Sequence, residues 1–137
     1  MMLAVFQELQ YEPSADIYLD ILDHQSELFG VITGLAAVLA GEDSTRVKKA
    51  EQLGKHYYKY EQMLLDKEQY ETAEHEPWNA WHLMSTETVI KYLRAYQSNI
   101  RTLCDELPTK QARLVCSLVA LDIEAWITRC EDWQADQ

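Results

Sequence analysis

Residues 14–41 read SADIYLDILDHQSELFGVITGLAAVLAG, and this stretch decides the fold because it predicts one long helix. Ser14 is a good N-cap residue, and Gly41 suits the left-handed position that follows many helices. Between them, apolar residues recur every three or four positions, which predicts a stripe that faces the protein core. The stripe consists of Tyr18, Ile21, Leu22, Gln25, Leu28, Phe29, Ile32, Leu35, Ala36 and Leu39.

Three further segments of the 137-residue chain show the same helical spacing of apolar residues. Only four Gly and three Pro interrupt the chain, so the connections between the segments are short. Short connections make consecutive helices antiparallel. The sequence therefore predicts an all-α fold, an antiparallel up-and-down four-helix bundle, in a single domain of residues 1–137. Its helices are expected at about residues 14–40, 45–74, 77–107 and 109–133.

The sequence allows more than one arrangement in two parts of this fold. Pro77 suits the first position of a helix, whereas Ser85 and Thr86 could start a new helix. Residues 77–107 therefore form either one helix or two. Residues 1–12 carry enough apolar side chains to dock on the bundle.

The charge of the chain excludes several classes of partner. Its 23 acidic and 12 basic residues give a formal net charge of −11. Such a chain does not bind nucleic acid directly by releasing counterions, and anionic membranes repel it. Three cysteines without C-x-x-C spacing argue against a disulfide framework and favour a reducing, cytoplasmic location. Residues 1–43 hold eight of the acids and no Lys or Arg, so most of the excess belongs to the first helical segment.

Four carboxylates of the first helix form a row, because spacings of four, three and four residues place them on one side. This acid row consists of Asp16, Asp20, Asp23 and Glu27. Two interpretations are open. In the first, the second helix neutralises part of the row, with Lys59 and Lys55 near Glu27 and Lys67 near the N-terminal end. In the second, the row meets a basic surface on another macromolecule.

Small residues continue the direction of the acid row toward the end of the first helix. Gly30, Gly34 and Ala37 follow Glu27 at helical spacing and are expected on the side away from the core. Val31 and Val38 flank them. Glycine costs a helix roughly 1 kcal/mol relative to alanine, so two glycines indicate that something approaches this helix closely.

The second half of the first helix is apolar or small all round from residue 28 to residue 40. A helix of this kind is normally covered on every side, whereas packing in a four-helix bundle leaves its outer face bare. The sequence leaves three possibilities for what covers this outer face: residues 1–12 of the same chain, a second copy of the chain, or a different protein.

The residue patterns of catalytic and metal sites are missing from the sequence. Bundle metal sites use Glu-x-x-His pairs, and none of the four histidines follows an acid at that spacing. His24 and Glu27 form a single reversed pair whose members point to different edges of the helix. Asp122 interrupts an apolar run and is expected to make an interhelical hydrogen bond or salt bridge, and the cysteines are expected to fill the core. We therefore predict no enzymatic activity, no cofactor and no metal site.

Several aromatic residues are candidates for an interface. Trp and Tyr often anchor protein contacts, but they also fill the ends of helical bundles. Trp81 and Tyr57 are expected in the core. Trp78 and Tyr58 are expected to point outward as anchors.

These features favour a non-catalytic acidic helical module that binds another protein with a basic face. The contact would use helix one through the acid row, Gly30, Val31, Gly34 and Val38. An inhibitor or regulator that docks a nucleic-acid-processing protein is the specific form of this hypothesis. A metal- or ligand-handling bundle and a self-assembling structural subunit, such as a homodimer through helix one, are the alternatives.

Overall fold

A computed structural model of the protein describes residues 11–71 and 77–107, together with Lys110 and Thr128. All regular structure within residues 11–71 and 77–107 is helical, in agreement with the predicted fold class. The described residues contain four helices: α1 (Ala15–Leu39), α2 (Ser44–Glu71), α3 (Ala80–Leu83) and α4 (Thr86–Glu106). The expected helix at 109–133 and the expected docking of the N-terminal residues lie outside the described residues, apart from isolated positions.

Helix α1 begins and ends where its sequence predicts. The Ser14 side chain accepts a hydrogen bond from the Ile17 amide at 3.3 Å, which is a normal N-cap contact. Gly41 has a φ of +80°, the left-handed conformation that glycine adopts without strain. The Glu42 amide donates to the Ala37 carbonyl oxygen at 3.1 Å, which closes the helix with a Schellman motif.

Helices α1 and α2 pack side by side and run in opposite directions. The Thr33 hydroxyl donates to the Ala50 carbonyl oxygen at 2.6 Å near the connecting turn. Nearly three helical turns further from this connection, Lys59 Nζ lies 2.6 Å from a carboxylate oxygen of Asp23. The residue numbers of the two pairs have nearly the same sum, which is the mark of an antiparallel pair.

Helix α4 packs on a different side of α2. Lys49 Nζ lies 3.2 Å from a Glu106 carboxylate oxygen, and the rings of His56 and Tyr96 lie 6.3 Å apart. The residue numbers of these two pairs also have nearly the same sum, so α2 and α4 run in opposite directions. Helix α2 is therefore the central element, with α1 and α4 both packed on it.

Residues 77–107 form two helices rather than one. The Asn79 side chain accepts from the Trp81 amide at 2.9 Å and starts α3, and the Ser85 hydroxyl accepts from the Thr88 amide at 3.2 Å and starts α4. Pro77 lies before Asn79 and outside the helix. The expectation that Pro77 occupies the first helical position is therefore wrong, because a better capping residue follows it.

The core lies along α2, where it packs against α1, α3 and α4. Its least exposed apolar side chains are Leu22, Met63, Ala80, Val89, Leu93 and Ile100. Cys104 is also buried there and makes no disulfide, in keeping with its expected packing role. No helix within the described residues is both long enough and apolar enough to span a bilayer.

The core-facing side of α1 changes along the helix. Tyr18, Ile21 and Leu22 are buried as predicted, but the buried positions then continue as Ser26, Gly30 and Gly34. A row spaced by four residues turns by about 40° per step around a helix with 3.6 residues per turn. The second half of the predicted stripe is therefore turned away from α2, and its assignment to the core is wrong.

Glycines allow this rotation of the buried row around α1, because they let α1 and α2 approach closely. A Cβ atom added at Gly54 would collide with the Thr33 hydroxyl oxygen and would lie 2.6 Å from the Phe29 carbonyl oxygen. Gly30 and Gly34 are buried against α2 at the same crossing. The expectation that Gly30 and Gly34 lie away from the core is thus wrong, although a close approach does occur at them.

Candidate functional site

The acid row lies on the surface of α1, with all four carboxylates exposed. One of them is held by the protein itself: Lys59 Nζ lies 2.6 Å from Asp23. The hydrogen bond from Lys59 lowers the pKa of Asp23 below its ordinary value, against a smaller opposing effect of burial. Asp23 is therefore ionised and partly neutralised.

The other three carboxylates of the acid row have weaker contacts with basic residues than Asp23 has, or none in the described part of the chain. His24 Nδ1 lies 3.6 Å from an Asp20 oxygen, one turn along the helix. Asp16 and Glu27 make no hydrogen bond or ion pair with another residue in the described part of the chain. At the two ends of the row, negative charge thus faces solvent.

The lysines of α2 do not act as expected. Lys59 contacts Asp23 instead of Glu27, because the helix pair is offset by about one turn from the predicted register. Lys67 contacts Glu71 on its own helix at 3.2 Å. Lys55 covers Gly30, where its side-chain carbons lie 3.0 Å from a Cβ built there. Neutralisation of the acid row by α2 is therefore partial.

A run of exposed apolar side chains covers the second half of α1. We call it the apolar face; it comprises Leu28, Phe29, Val31, Ile32, Leu35, Val38 and Leu39. Val31 is 62% exposed and Leu39 is 81% exposed. Val31 and Val38 lie within about 40° of Glu27 around the helix, so the apolar face includes the side of α1 on which the acid row lies. One helix thus presents negative charge in its first half and apolar surface in its second.

The two expected anchor residues occupy different environments. Tyr58 is half-buried, with its hydroxyl donating to Gln25 Oε1 at 3.1 Å and its ring 4.8 Å from that of Phe29. Tyr58 therefore joins α2 to the surface of α1 and does not project freely. Trp78 is half-buried beside a cavity, whereas Trp81 is buried as predicted.

A polar cavity lies between the first half of α1 and the second half of α2. Its volume is about 180 Å³. It is lined by Tyr18, Ile21, Leu22, Gln25, Gln62, Asp66, Gln69 and Trp78. Three amide side chains, a phenol and a carboxylate make it rich in hydrogen-bonding groups, and sequence analysis did not identify it.

Asp66 is the central polar residue of this cavity and is only 2% exposed. Its Oδ2 accepts hydrogen bonds from the Tyr18 hydroxyl at 2.5 Å and from the Ala80 amide at 3.0 Å. Its Oδ1 accepts a longer bond from Gln62 at 3.4 Å. Asn79 donates to the Asp66 main-chain oxygen at 2.7 Å. Asp66 thereby joins α1, α2 and the start of α3.

The environment of Tyr18 keeps its hydroxyl protonated. Burial, followed by the charge of Asp66 and the hydrogen bond to it, raises the pKa of Tyr18 far above its ordinary value of 10.0. A protonated phenol donates to the carboxylate and cannot serve as a base. The Tyr18–Asp66 pair is accordingly a fixed hydrogen bond that orients the carboxylate in the cavity.

A second charged residue of α2 is buried next to Asp66. Lys67 is 5% exposed, and its Nζ lies 4.9 Å from the centre of the Trp81 ring and 3.2 Å from Glu71. A signal for both residues exists in the sequence, because positions 63, 66 and 67 continue the buried spacing from Tyr60. The sequence analysis did not identify Asp66 and Lys67 because it searched this spacing for apolar residues only.

Three residues that the sequence singled out are not described by the structure. Asp122, Cys116 and Cys130 lie outside the described residues. Within residues 11–71 and 77–107, no group of three or more His, Cys, Asp or Glu side chains could hold a metal ion. His24 is half-buried in the middle of α1.

His56 makes folding stability dependent on pH. Burial lowers the pKa of His56 below its ordinary value of 6.5, assisted by the charges of Lys59 and Lys55 and opposed by Asp23. Its buried Nδ1 has no hydrogen-bond partner. As the pH falls below about 6.5, the unfolded chain binds a proton at this position before the folded chain does, so stability decreases.

We expect His56→Gln to reduce the loss of stability between pH 7.5 and pH 5 in chemical denaturation experiments. Stability should level off once the folded state also binds the proton. His82→Gln is the matched control, because it makes the same substitution at an exposed position. Equal pH profiles for wild type and His56→Gln would contradict this role.

Comparisons with protein-family models, with curated proteins and with solved structures find no match to this chain. Functional inference therefore depends on the geometry of α1 and of the polar cavity.

Proposed function

We propose that the protein is a non-catalytic acidic helical module that binds a basic surface of another protein through α1. The specific form of the proposal is an inhibitor or regulator of a nucleic-acid-processing protein in the cytoplasm, with carboxylates taking the place of phosphates. The observation that carries it is the surface of α1, where an exposed acid row continues into an exposed apolar face.

The apolar face supports a macromolecular partner. Its seven side chains are each 37–81% exposed and lie on one helix. Monomeric proteins rarely expose contiguous apolar patches larger than a few hundred Å², and larger patches usually mark interaction sites. Burial of this face would supply affinity, since buried apolar area contributes about 25 cal/mol per Å².

The acid row supports a partner with positive charge. Carboxylates in a row attract a basic surface during the encounter and fix its orientation, which raises the association rate more than the final affinity. Asp16 and Glu27 are best suited to this role because neither is paired within the described chain. Asp23 contributes less, since Lys59 already contacts it.

Charge reversal at the ends of the row tests the proposal. We expect Asp16→Lys/Glu27→Lys to slow association with a basic nucleic-acid-processing partner by roughly tenfold at low salt, because electrostatic steering is lost. The difference should shrink in high salt, where surface charges are screened. Stopped-flow or surface-based kinetics at several salt concentrations measures both effects.

Glu68→Lys/Asp105→Lys is the matched control for this variant. It makes the same change in net charge at exposed positions of α2 and α4. It should reduce the association rate much less, because net charge alone acts weakly over long distances in salt. Equal rates for the two double variants would overturn the role of the acid row.

Self-association is a second candidate, and the extent of the apolar face favours it. In a homodimer through α1, two apolar faces would cover each other across a two-fold axis. We expect Ile32→Gln/Leu35→Gln to convert such a dimer to monomers in sedimentation experiments, with folding stability changed by less than about 0.5 kcal/mol per exposed position.

The control for the dimer test is Leu65→Gln, which removes an apolar side chain that is 46% exposed on α2. It should leave the oligomeric state unchanged. A wild-type protein that sediments as a monomer at concentrations near 1 mM would exclude the homodimer, and the apolar face would then be available to a different protein.

We also propose that the bundle is completed by residues 109–133 as a further long helix, with residues 1–12 docked on it. The helical spacing of apolar residues between 112 and 133 supports this arrangement. The position of Lys49 beside Glu106 supports it as well, because it places the end of α4 near the start of α2, from which an antiparallel helix could run back along the bundle.

A further inference from the structure

We infer that the partner contributes an amphipathic α-helix, which packs along four exposed side chains of α1. We call these four the outer seam: Leu28, Val31, Leu35 and Val38. The partner helix carries apolar residues at the same spacing and Lys or Arg along one edge. This docking mode rests on the proposed function for the existence of a partner and adds the structural element by which the partner binds.

The spacing of the outer seam points to a helix as its occupant. Its members follow one another at intervals of three, four and three residues. This is the 3.5-residue period of coiled coils, in which side chains of one helix insert between those of another over several turns. All four members are 43–62% exposed, and together they extend over about 15 Å along the helix axis.

The side of α1 that meets α2 has a different period. Ser26, Gly30 and Gly34 are buried at intervals of four residues. Rows of that spacing give steep helix crossings near about −50°, whereas the coiled-coil period gives a shallow crossing near about +20°. Val31 and Leu35 each follow a glycine of the buried row, so the outer seam is turned from it by about 100°. Helix α1 therefore has a second packing side, suited to a helix that lies nearly along it.

Negative charge on one edge of the outer seam calls for a basic edge on the occupant. Glu27 directly precedes Leu28, and Asp20 lies seven residues earlier. With Leu28 and Leu35 at position a of a seven-residue repeat, both acids occupy position g, from which charged side chains reach across to the other helix. Both are exposed, and Glu27 makes no ion pair in the described part of the chain. Lys or Arg on the facing edge of the occupant completes these pairs.

The opposite edge of the outer seam is apolar. Ile32 and Leu39 occupy position e of the same repeat and are also exposed. The occupant therefore has two unlike edges, one basic and one apolar. This asymmetry distinguishes the inferred helix from a basic peptide of arbitrary sequence.

Synthetic peptides test the inference without the natural partner. The first peptide, with about 20 residues so that it can form a helix, has Leu at positions a and d and Lys along one edge. The second has the same composition, with apolar and polar residues alternating as in a strand. We expect the first peptide to bind at least tenfold more tightly and to gain helical circular dichroism on binding. Equal binding of the two peptides would overturn the inference, and so would failure of the first to bind because a second copy or another segment of this chain covers the seam.

A substitution in the outer seam locates the bound peptide. Val31→Gln should weaken binding of the first peptide at least fivefold, while the backbone amide NMR spectrum stays that of a folded protein. Leu65→Gln is the matched control, because it makes the same kind of change at an exposed position of α2. It should bind as wild type does. Unchanged binding by Val31→Gln would place the peptide elsewhere and contradict the inference.

A charge swap tests the edge that contains Glu27. Glu27→Lys should weaken the lysine-edged peptide at least threefold and strengthen a third peptide that has Glu along this edge. A merely structural effect of the substitution would weaken both peptides. Glu68→Lys makes the same change in net charge at an exposed position of α2 and should leave the ratio of the two affinities near that of wild type. An unchanged ratio in Glu27→Lys would exclude the basic edge of the occupant.

The docking mode and the proposed function can fail separately. Peptide binding at the outer seam, with association unaffected by charge reversal of the acid row, would reject the proposed regulator and leave the helix-binding seam standing. Slower association after charge reversal, with peptide binding unaffected by Val31→Gln, would reject the docked helix and leave the proposed function standing.

Discussion

We expect Gly54→Ala to destabilise the protein by about 2–3 kcal/mol, even though alanine is the better helix former by about 1 kcal/mol. The new Cβ would lie 2.6 Å from the Phe29 carbonyl oxygen, which belongs to the backbone of α1 and cannot rotate away. Relief of this contact requires α1 and α2 to separate. Separation would also break the 2.6 Å hydrogen bond from Thr33 to Ala50.

Gly34→Ala is the matched control for this prediction. The three atoms nearest to a Cβ at Gly34 all belong to the Glu51 side chain. Because the Glu51 side chain can reorient, we expect stability within about 1 kcal/mol of wild type, with the helix propensity of alanine offsetting the adjustment. Urea denaturation of both variants measures the difference. Similar losses at the two positions would show that the close approach does not centre on Gly54.

The second large effect is expected at Asp66. Asp66→Ala should cost about 3–4 kcal/mol, because it leaves the Tyr18 hydroxyl and the Ala80 amide buried without their acceptor. It also opens a space in a buried region, since Asp66 is 2% exposed. The free energy of unfolding, extrapolated from denaturant titrations, measures the loss.

A double-mutant cycle separates the hydrogen bond from the space that is left. Tyr18→Phe removes the donor, so the Tyr18→Phe/Asp66→Ala protein should be more stable than the sum of the single losses predicts, by about 1–2 kcal/mol. Additive losses would mean that Tyr18 and Asp66 do not depend on each other, contrary to the 2.5 Å contact between them.

Local features of the fold were predictable because neighbouring residues determine them. A capping hydroxyl at Ser14 and a left-handed glycine at Gly41 set the limits of α1, and each acts within a few residues of itself. The break between α3 and α4 was visible as an alternative for the same reason, since Ser85 can cap whatever helix follows it.

The candidate site was predictable only in part. The acid row is exposed as its spacing predicts, because charged side chains on the outer side of a helix need no particular neighbour. The polar cavity was not predicted, because Asp66 lies in a segment rich in charged residues, and such a sequence indicates an exposed carboxylate. Its burial depends on Tyr18, 48 residues earlier, and on the Ala80 amide, 14 residues later.

The amino-acid sequence by itself determined that this chain is helical, where α1 begins and ends, and that its excess negative charge lies in the first segment. Only the tertiary structure decided which side of α1 meets α2. A regular apolar stripe predicts a straight core face, but Gly30, Gly34 and Gly54 allow a closer contact along a different row. Helices pack along the row that brings their backbones nearest, so the glycines turned the apolar face of α1 toward solvent.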